Sequence, residues 1–391
     1  MKILLVNHFP LHGSGSGVYT KNIAQKLVEK GHQVRVIVVA NEYSSGYDFK
    51  VKTIPYYKFP CFTTHPESSK KFSDLSRQEM NDYLNKFKTT ILKETDDFQP
   101  DIIHCQHIWV APYAALKTNV PYIITAHGTD IKGYKKYRSY RNMALRAASG
   151  AERIIAISKQ VYSEVKSYYN ISEDKIELIW NGYNNKIFKK MEVNKKEVLN
   201  DLVPDFSGRA KHIVSFVGKL CEFKGVDLLI KAAEIYQKRF PSSVTLITGA
   251  GELYDDLHQM VEKRNLDSIY FTGNLPQEKV ALINNIADVA VVPSRVEPFG
   301  LVALEALGCG TPVIASRAGG LMDFINDEVG CFFPMNDYHT LAEKVIYCLE
   351  NDFKSNREEF CIQYAQQQFS WERVVRDLNS VYQDIVSNID S

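Results

Sequence analysis

Residues 293–316 read PSRVEPFGLVALEALGCGTPVIAS, and the way this stretch is parsed decides the fold. Immediately before it, VAVV (289–292) is an apolar run without alternation, the pattern of a strand covered on both faces. Near its end, 313–315 is a second such run. Between them lies a helical pattern, with Pro298 in the favoured first-turn position just after Glu297. Strand, helix and strand in this order are the repeating unit of a parallel α/β sheet. Phe299, Gly300 and Leu301 would then present unbonded backbone N–H groups at the positive end of the helix. Glu305 follows Glu297 after seven intervening residues. At about 1.5 Å rise per residue the two carboxylates are up to roughly 12 Å apart. They cannot act on one atom, but they can hold two ends of an elongated ligand with a diphosphate at the helix tip between them. The plainer alternative makes Glu297 a helix cap and Glu305 a solvated residue. Glu305, however, lies inside LVALEALG (301–308), where an exposed side chain is out of place and a buried carboxylate without a partner is costly. Ligand-binding carboxylates are the better reading.

Outward from this stretch the same rhythm continues. Strands are expected over 213–217, 244–248, 269–271, 289–292, 313–315 and 331–333, each followed by a helical pattern. The front half repeats it, with strands over 2–6, 33–39, 51–54, 102–105, 122–125, 153–157 and 176–179 and helices over 17–30, 75–94 and 140–148. After Tyr183 the pattern gives way to a polar, Lys- and Asn-rich stretch. Two doubly wound, Rossmann-like domains are therefore expected, over 1–190 and 191–369. Ligands of such sheets bind beyond the carboxyl ends of the strands, so the two domains are expected to share a cleft.

Composition fits a soluble two-domain protein: 391 residues, 45% hydrophobic and 24% charged. The apolar run that opens MKILLVNHFP is too short for a signal peptide or a membrane span, and reads as a buried strand. Seven scattered cysteines with no CxxC pair suit a reducing cytoplasm. The net charge of +1 hides an asymmetry, because residues 1–190 carry 28 Lys and Arg against 17 Asp and Glu. A basic front half is expected to meet something anionic, such as nucleic acid, a membrane surface or a phosphorylated acceptor.

HGSGSGVYT (12–20) places Gly13, Gly15 and Gly17 between the first strand and a helix, either as a tight turn or as an anion-binding loop. The spacing is not GxGxxG, and no acidic residue ends the second strand, so an NAD-binding oxidoreductase fits badly. GAGE (249–252) repeats the strand–glycine–helix arrangement. His127 ends a strand, where a histidine is more often structural than catalytic. His104 and His107 flank Cys105, but nothing nearby completes a zinc site, and structural or acceptor-lining roles are preferred.

The ordered series as a whole resembles the retaining glycosyltransferases of family 4, the group 1 enzymes that include glycogen-synthase- and sucrose-synthase-like proteins and have the GT-B fold. It comprises the glycine loop, DIIHCQHIW (101–109), TAHGTD (125–130), AISK (156–159), IWNGYN (179–184), FVGKLCEFKG (216–225), GAGE, TGNLP (272–276) and the E-x7-E pair Glu297 and Glu305. The resemblance implies that Lys219 and Lys224 bind the donor diphosphate, where fixed cations stabilise the departing group without a metal. It implies that Glu297 contacts the transferred sugar and Glu305 the ribose, with main-chain help from Phe299, Gly300 and Leu301. Gly15 and Gly17 would let donor phosphate and acceptor approach, Asn274 or Leu275 would frame the base, and His127 would contact the donor sugar. His107 and Asp130 are acceptor-side candidates, and no metal ligand is assigned. Lys219 stands where the family more often has Arg, so a bidentate contact is lost. Asn184 replaces the acid of N-G-x-D, which puts a hinge contact in doubt. The last helix, 370–391, would cross back onto the first domain with Trp371 as its anchor.

The implied reaction transfers a hexosyl or N-acetylhexosaminyl group from a nucleotide sugar, a UDP-sugar by preference, to a hydroxyl acceptor by front-face substitution, with no cofactor. The acceptor would be anionic or membrane-associated, the enzyme cytoplasmic or peripheral on the inner membrane face, and nucleic acid not a partner. KGYKKYRSYRNMALR (132–146) could lie on anionic lipid, bind a phosphorylated acceptor or be a solvated helix face. The irregular stretch 59–72 also suits acceptor binding. Competing readings are a disaccharide synthase or phosphorylase on the same scaffold and a non-catalytic protein binding sugars or anionic surfaces.

Overall fold

Lys2–Val6 (β1), Gln33–Val39 (β2), Lys50–Ile54 (β3), Ile102–Gln106 (β4), Tyr122–Ala126 (β5), Arg153–Ala156 (β6) and Ile176–Leu178 (β7) form one parallel sheet in the order β3-β2-β1-β4-β5-β6-β7. The computed structural model describes residues 1–391 except 41–45, 57, 63–64, 66, 137–139, 204–205, 207–209 and 390–391. Register is continuous across the centre, where Leu4 pairs Arg35 on one side and Ile103 on the other. Residues 3–6 and 102–106 are buried on both faces, which explains their unbroken apolar character. Helices cover those faces, and local chemistry sets their ends. Helix Arg77–Phe98 starts on a capping box between Ser76 and Glu79 and stops at Gln99, which is left-handed (φ 50°) before Pro100.

The second sheet, also parallel, orders its strands β10-β9-β8-β11-β12-β13. These are His212–Val217 (β8), Ser243–Thr248 (β9), Ile269–Gly273 (β10), Val289–Val292 (β11), Val313–Ser316 (β12) and Gly330–Phe333 (β13). In each sheet the strand order reverses direction once, between β1 and β4 and between β8 and β11. Loops leaving the carboxyl ends of those neighbours diverge and open a crevice, so each sheet has one favoured place for a ligand.

The chain divides into Met1–Asn181 with Trp371–Ser391, and Gly182–Ser370. The first division thus falls earlier than residue 190. Residues after Asn181 take partners in the second unit: Tyr183 N–H donates to Phe369 O (3.0 Å), Met191 N–H to Asn285 Oδ1 (2.7 Å), and Lys190 pairs with Glu358. Helix Trp371–Ile389 packs into the first core, where Trp371, Val375, Leu378 and Tyr382 lie among Tyr19, Ile23 and Leu27. His104 in β4 is saturated there, with Nδ1 on the Tyr382 hydroxyl and Nε2 on Thr125 Oγ1, both at 2.7 Å. It is a structural histidine. Among the described residues, no helix is long and apolar enough to cross a membrane.

Candidate active site

At the carboxyl end of β11 the chain runs through Ser294 and Arg295 to Glu297 and only then into helix Leu301–Gly308. Pro298 is therefore in the loop and not in the first helical turn. Gly300 takes φ 107°, a conformation closed to ordinary side chains, and a Cβ there would lie 2.5 Å from Leu321 Cδ2. That left-handed residue delays the helix to Leu301. Among the described residues, the N–H groups of Phe299, Gly300 and Leu301 have no backbone acceptor, so the positive end of the helix is open.

Glu297 is buried, yet its carboxylate is paired: Lys224 Nζ donates to Oε2 at 2.6 Å and Ser294 Oγ donates to the same oxygen at 3.1 Å. Lys224 ends the short turn Glu222–Lys224 beyond β8. The two residues assigned to diphosphate and sugar are thus an ion pair, one from each side of the β8–β11 reversal. Lys219, on the same β8 loop, is within 3.6 Å of Glu252 of the GAGE turn. Backbone bonds tie these loops together, with Leu220 N–H on Ala250 O (3.0 Å) and Gly249 N–H on Gly273 O (2.8 Å). The second bond places Asn274 and Leu275 beside the GAGE turn, just past the end of β10. Glu305 lies one turn into the helix, and burial pushes its carboxyl up to about 7.

The remaining predicted residues belong to the first unit. Helix Gly15–Glu29 begins two residues earlier than the apolar pattern suggests, because Ser14 caps it by accepting the Gly17 N–H at 3.1 Å. That amide is therefore occupied. A Cβ at Gly17 would lie 2.1 Å from Pro10 O, whereas one at Gly15 would meet nothing within 4 Å. Packing demands glycine at 17, and only Gly15 leaves open space.

His107, His127 and Asp130 come together with His8 at the carboxyl ends of β1, β4 and β5, all buried. The His127 and His107 rings are 4.7 Å apart, and His127 Nε2 contacts Gln106 Oε1 at 2.9 Å. Burial holds His107 and His127 well below the usual imidazole range, their mutual charge adding to the effect at His127 and His8 at His107, and it takes His8 to about 3. Burial raises Asp130 to about 6 against the lowering influence of its backbone donors, among them Ile108 N–H at 2.9 Å. His107 to Asp130 is 3.9 Å, too long for a hydrogen bond. Both His107 ring nitrogens, Asp130 Oδ1, Gln106 Nε2 and Asn7 Nδ2 lack a partner among the described residues. Positions 137–139 of the basic stretch 132–146 lie outside the described residues, as do positions 63, 64 and 66 of the 59–72 segment, and Arg141–Ser149, within and beyond that basic stretch, is helical.

Residues 206–368 match the family "Glycosyl transferases group 1" and residues 13–186 match "Glycosyltransferase Family 4". An uncharacterised glycosyltransferase of Methanocaldococcus jannaschii is 30% identical over 73% of this chain and 76% of its own. The chain belongs to the group 1 glycosyltransferases. A D-inositol 3-phosphate glycosyltransferase of Corynebacterium aurimucosum is 25% identical over 97% of this chain and 94% of its own. Among solved structures, Anabaena HepE in complex with UDP superposes with a TM-score of 0.77 at 18% identity, covering 98% of this chain and all of that one. That likeness identifies the fold as GT-B.

Sequence reading missed one part of this glycosyltransferase's second-unit site. Arg295 forks onto Asp227 at 2.8 and 2.9 Å, and also donates to Glu222 O (2.6 Å) and Asn336 Oδ1 (2.7 Å). Asp227 additionally accepts from Lys231 at 3.1 Å. Burial alone would raise the Asp227 carboxyl, but these cations outweigh it and hold it below the usual range. The partners are 68 residues apart, a distance no local motif spans. The one local hint is the acidic residue in the first turn of the helix that follows Lys224.

Proposed function

We propose that this glycosyltransferase moves a hexosyl or N-acetylhexosaminyl group from a UDP-sugar to a hydroxyl acceptor, retaining anomeric configuration and needing no metal ion. The observation that carries the proposal is the Lys224–Glu297 pair beside the open amides of Phe299, Gly300 and Leu301. A diphosphate arriving there would draw Lys224 away from Glu297 and take up the free N–H donors. The released carboxylate would accept hydroxyls of the sugar. As the bond from the anomeric carbon to the phosphate oxygen breaks, negative charge grows on the nucleoside diphosphate. Lys219, Lys224 and the helix end are fixed where they can stabilise it. The acceptor oxygen bonds the same carbon from the same face, and its proton passes to the departing phosphate oxygen. Glu305, one helical turn along, suits the ribose hydroxyls.

The UDP bound by Anabaena HepE supports a uridine donor, and the relatives named for D-inositol 3-phosphate support a polyol phosphate as acceptor. The excess of Lys and Arg in residues 1–190 agrees with an anionic acceptor. The test is a panel of UDP- and GDP-sugars assayed for hydrolysis and transfer in EDTA, with the anomer of the product read by NMR. Turnover of a UDP-sugar without added metal and an α-configured product from an α-donor are expected. Strict dependence on magnesium or manganese, or an inverted product, would overturn the reading.

A further inference from the structure

We infer that Arg295 and Asp227 form a positioning clamp that sets Lys224 against the donor diphosphate, an assignment that rests on the donor site proposed above. Four of the five guanidinium N–H donors of Arg295 are engaged: two on Asp227, one on Glu222 O and one on Asn336 Oδ1. A guanidinium so occupied cannot turn to a phosphate without losing bonds, and Asp227 neutralises its charge. Arg295 is therefore no third phosphate cation, although it lies only two residues from Glu297.

Three of its four side-chain bonds lead to the segment that carries Lys224, and the fourth, to Asn336 Oδ1, anchors the guanidinium from outside it. The Glu222 carbonyl opens the Glu222–Lys224 turn, and Asp227 lies in the first turn of the helix that follows. The backbone adds to the grip, since the N–H groups of Arg295 and Val296 both donate to Phe223 O, at 2.7 and 3.3 Å. The 294–297 segment thus holds the 222–227 segment at three points around Lys224 and ends on Glu297 itself. A lysine has a long, mobile stem and loses rotamer entropy when held. Fixing its backbone on both sides confines the ammonium to the small region where Glu297 and a phosphate compete for it. Arg295 acts through Lys224 and touches no reacting atom. A lysine in its place would keep the charge but lose the two-pronged contact to Asp227.

The test is a double-mutant cycle on the full chain, with UDP affinity measured by calorimetry for wild type, Arg295→Lys, Lys224→Ala and the double variant. Arg295→Lys is expected to weaken UDP about tenfold and Lys224→Ala by at least as much. The double variant should be no weaker than Lys224→Ala alone, since the clamp has nothing left to position. A purely structural role predicts losses that multiply, which would overturn the inference, as would wild-type affinity in Arg295→Lys. Failure of the wild type to bind UDP would overturn the donor site itself and this inference with it. Should Arg295→Lys not fold, judged by its melting curve, Asp227→Asn removes the same fork from the other side and completes the cycle.

Discussion

At the reversal point of the first sheet, three imidazoles and a carboxyl group lie under aromatic rings with almost no exposure, and every one of them is pushed toward its neutral form. At the same point of the second sheet, Lys224 and Glu297 pair as ions and a helix end stands open. The strand plan is shared, and the chemistry differs because the burial differs. Full desolvation disfavours charge, so the three imidazoles of the first edge offer hydrogen bonds as neutral groups, and only Asp130, raised to about 6, ionises near neutral pH. The second leaves its lysines partly exposed, 22% for Lys224 and 37% for Lys219, and keeps them available to an anion. Two similar scaffolds can therefore divide recognition between neutral polar groups and fixed charges.

The largest effect that could break this contrast is on the charged edge. Lys224→Ala and Glu297→Ala should each lower the transfer rate by about a hundredfold to a thousandfold while melting curves show folded protein. Rates near wild type in either variant would remove the ion pair from the reaction. A smaller effect concerns Glu305, whose carboxyl stands at about 7. Ribose hydroxyls donate best to the ionised form, so binding should release a proton there. UDP affinity is then expected to rise about threefold to tenfold from pH 6 to pH 8, and to lose that slope in Glu305→Gln. A slope unchanged in the variant would place the titrating group elsewhere.

The smallest effect lies in the neutral edge. Asp130 stands at about 6 when folded, against an ordinary 3.8. A carboxyl raised in this way gives stability that is present below its ordinary value and lost as pH climbs through 3.8 to about 6. Asp130→Asn should therefore raise Tm by a few degrees at pH 8 and by less at pH 4, as followed by circular dichroism. A variant that melts lower at pH 8 would mean that the ionised carboxylate stabilises the fold through its backbone donors by more than its burial costs.

The architecture was legible in the sequence because strands buried on both faces leave an unmistakable trace. VAVV is β11 without adjustment, and QVRVIVV is β2. Element ends were harder to read, since they depend on single residues acting against the general pattern. Gly300 at φ 107° holds the helix back past Pro298, and Ser14 draws the first helix forward to Gly15. In the site, motif order names Lys219, Lys224, Glu297 and Glu305 but says nothing of how they pair. Lys224 and Glu297 are 73 residues apart, and Arg295 and Asp227 are 68, so their contacts exist only after β8 and β11 become neighbours. Protonation states were equally hidden, because they follow from burial.

The return of helix Trp371–Ile389 to the first core sets an order of events during synthesis. Leu27, Tyr19 and His104 leave the ribosome facing partners, Val375, Leu378 and Tyr382, that have not yet been made. At roughly 5–20 residues per second, the first sheet waits about ten seconds or more while the whole second unit is translated. The unit made later, uninterrupted in sequence, is thus the one able to finish folding first, and the amino-terminal half must survive that interval with an apolar trench uncovered.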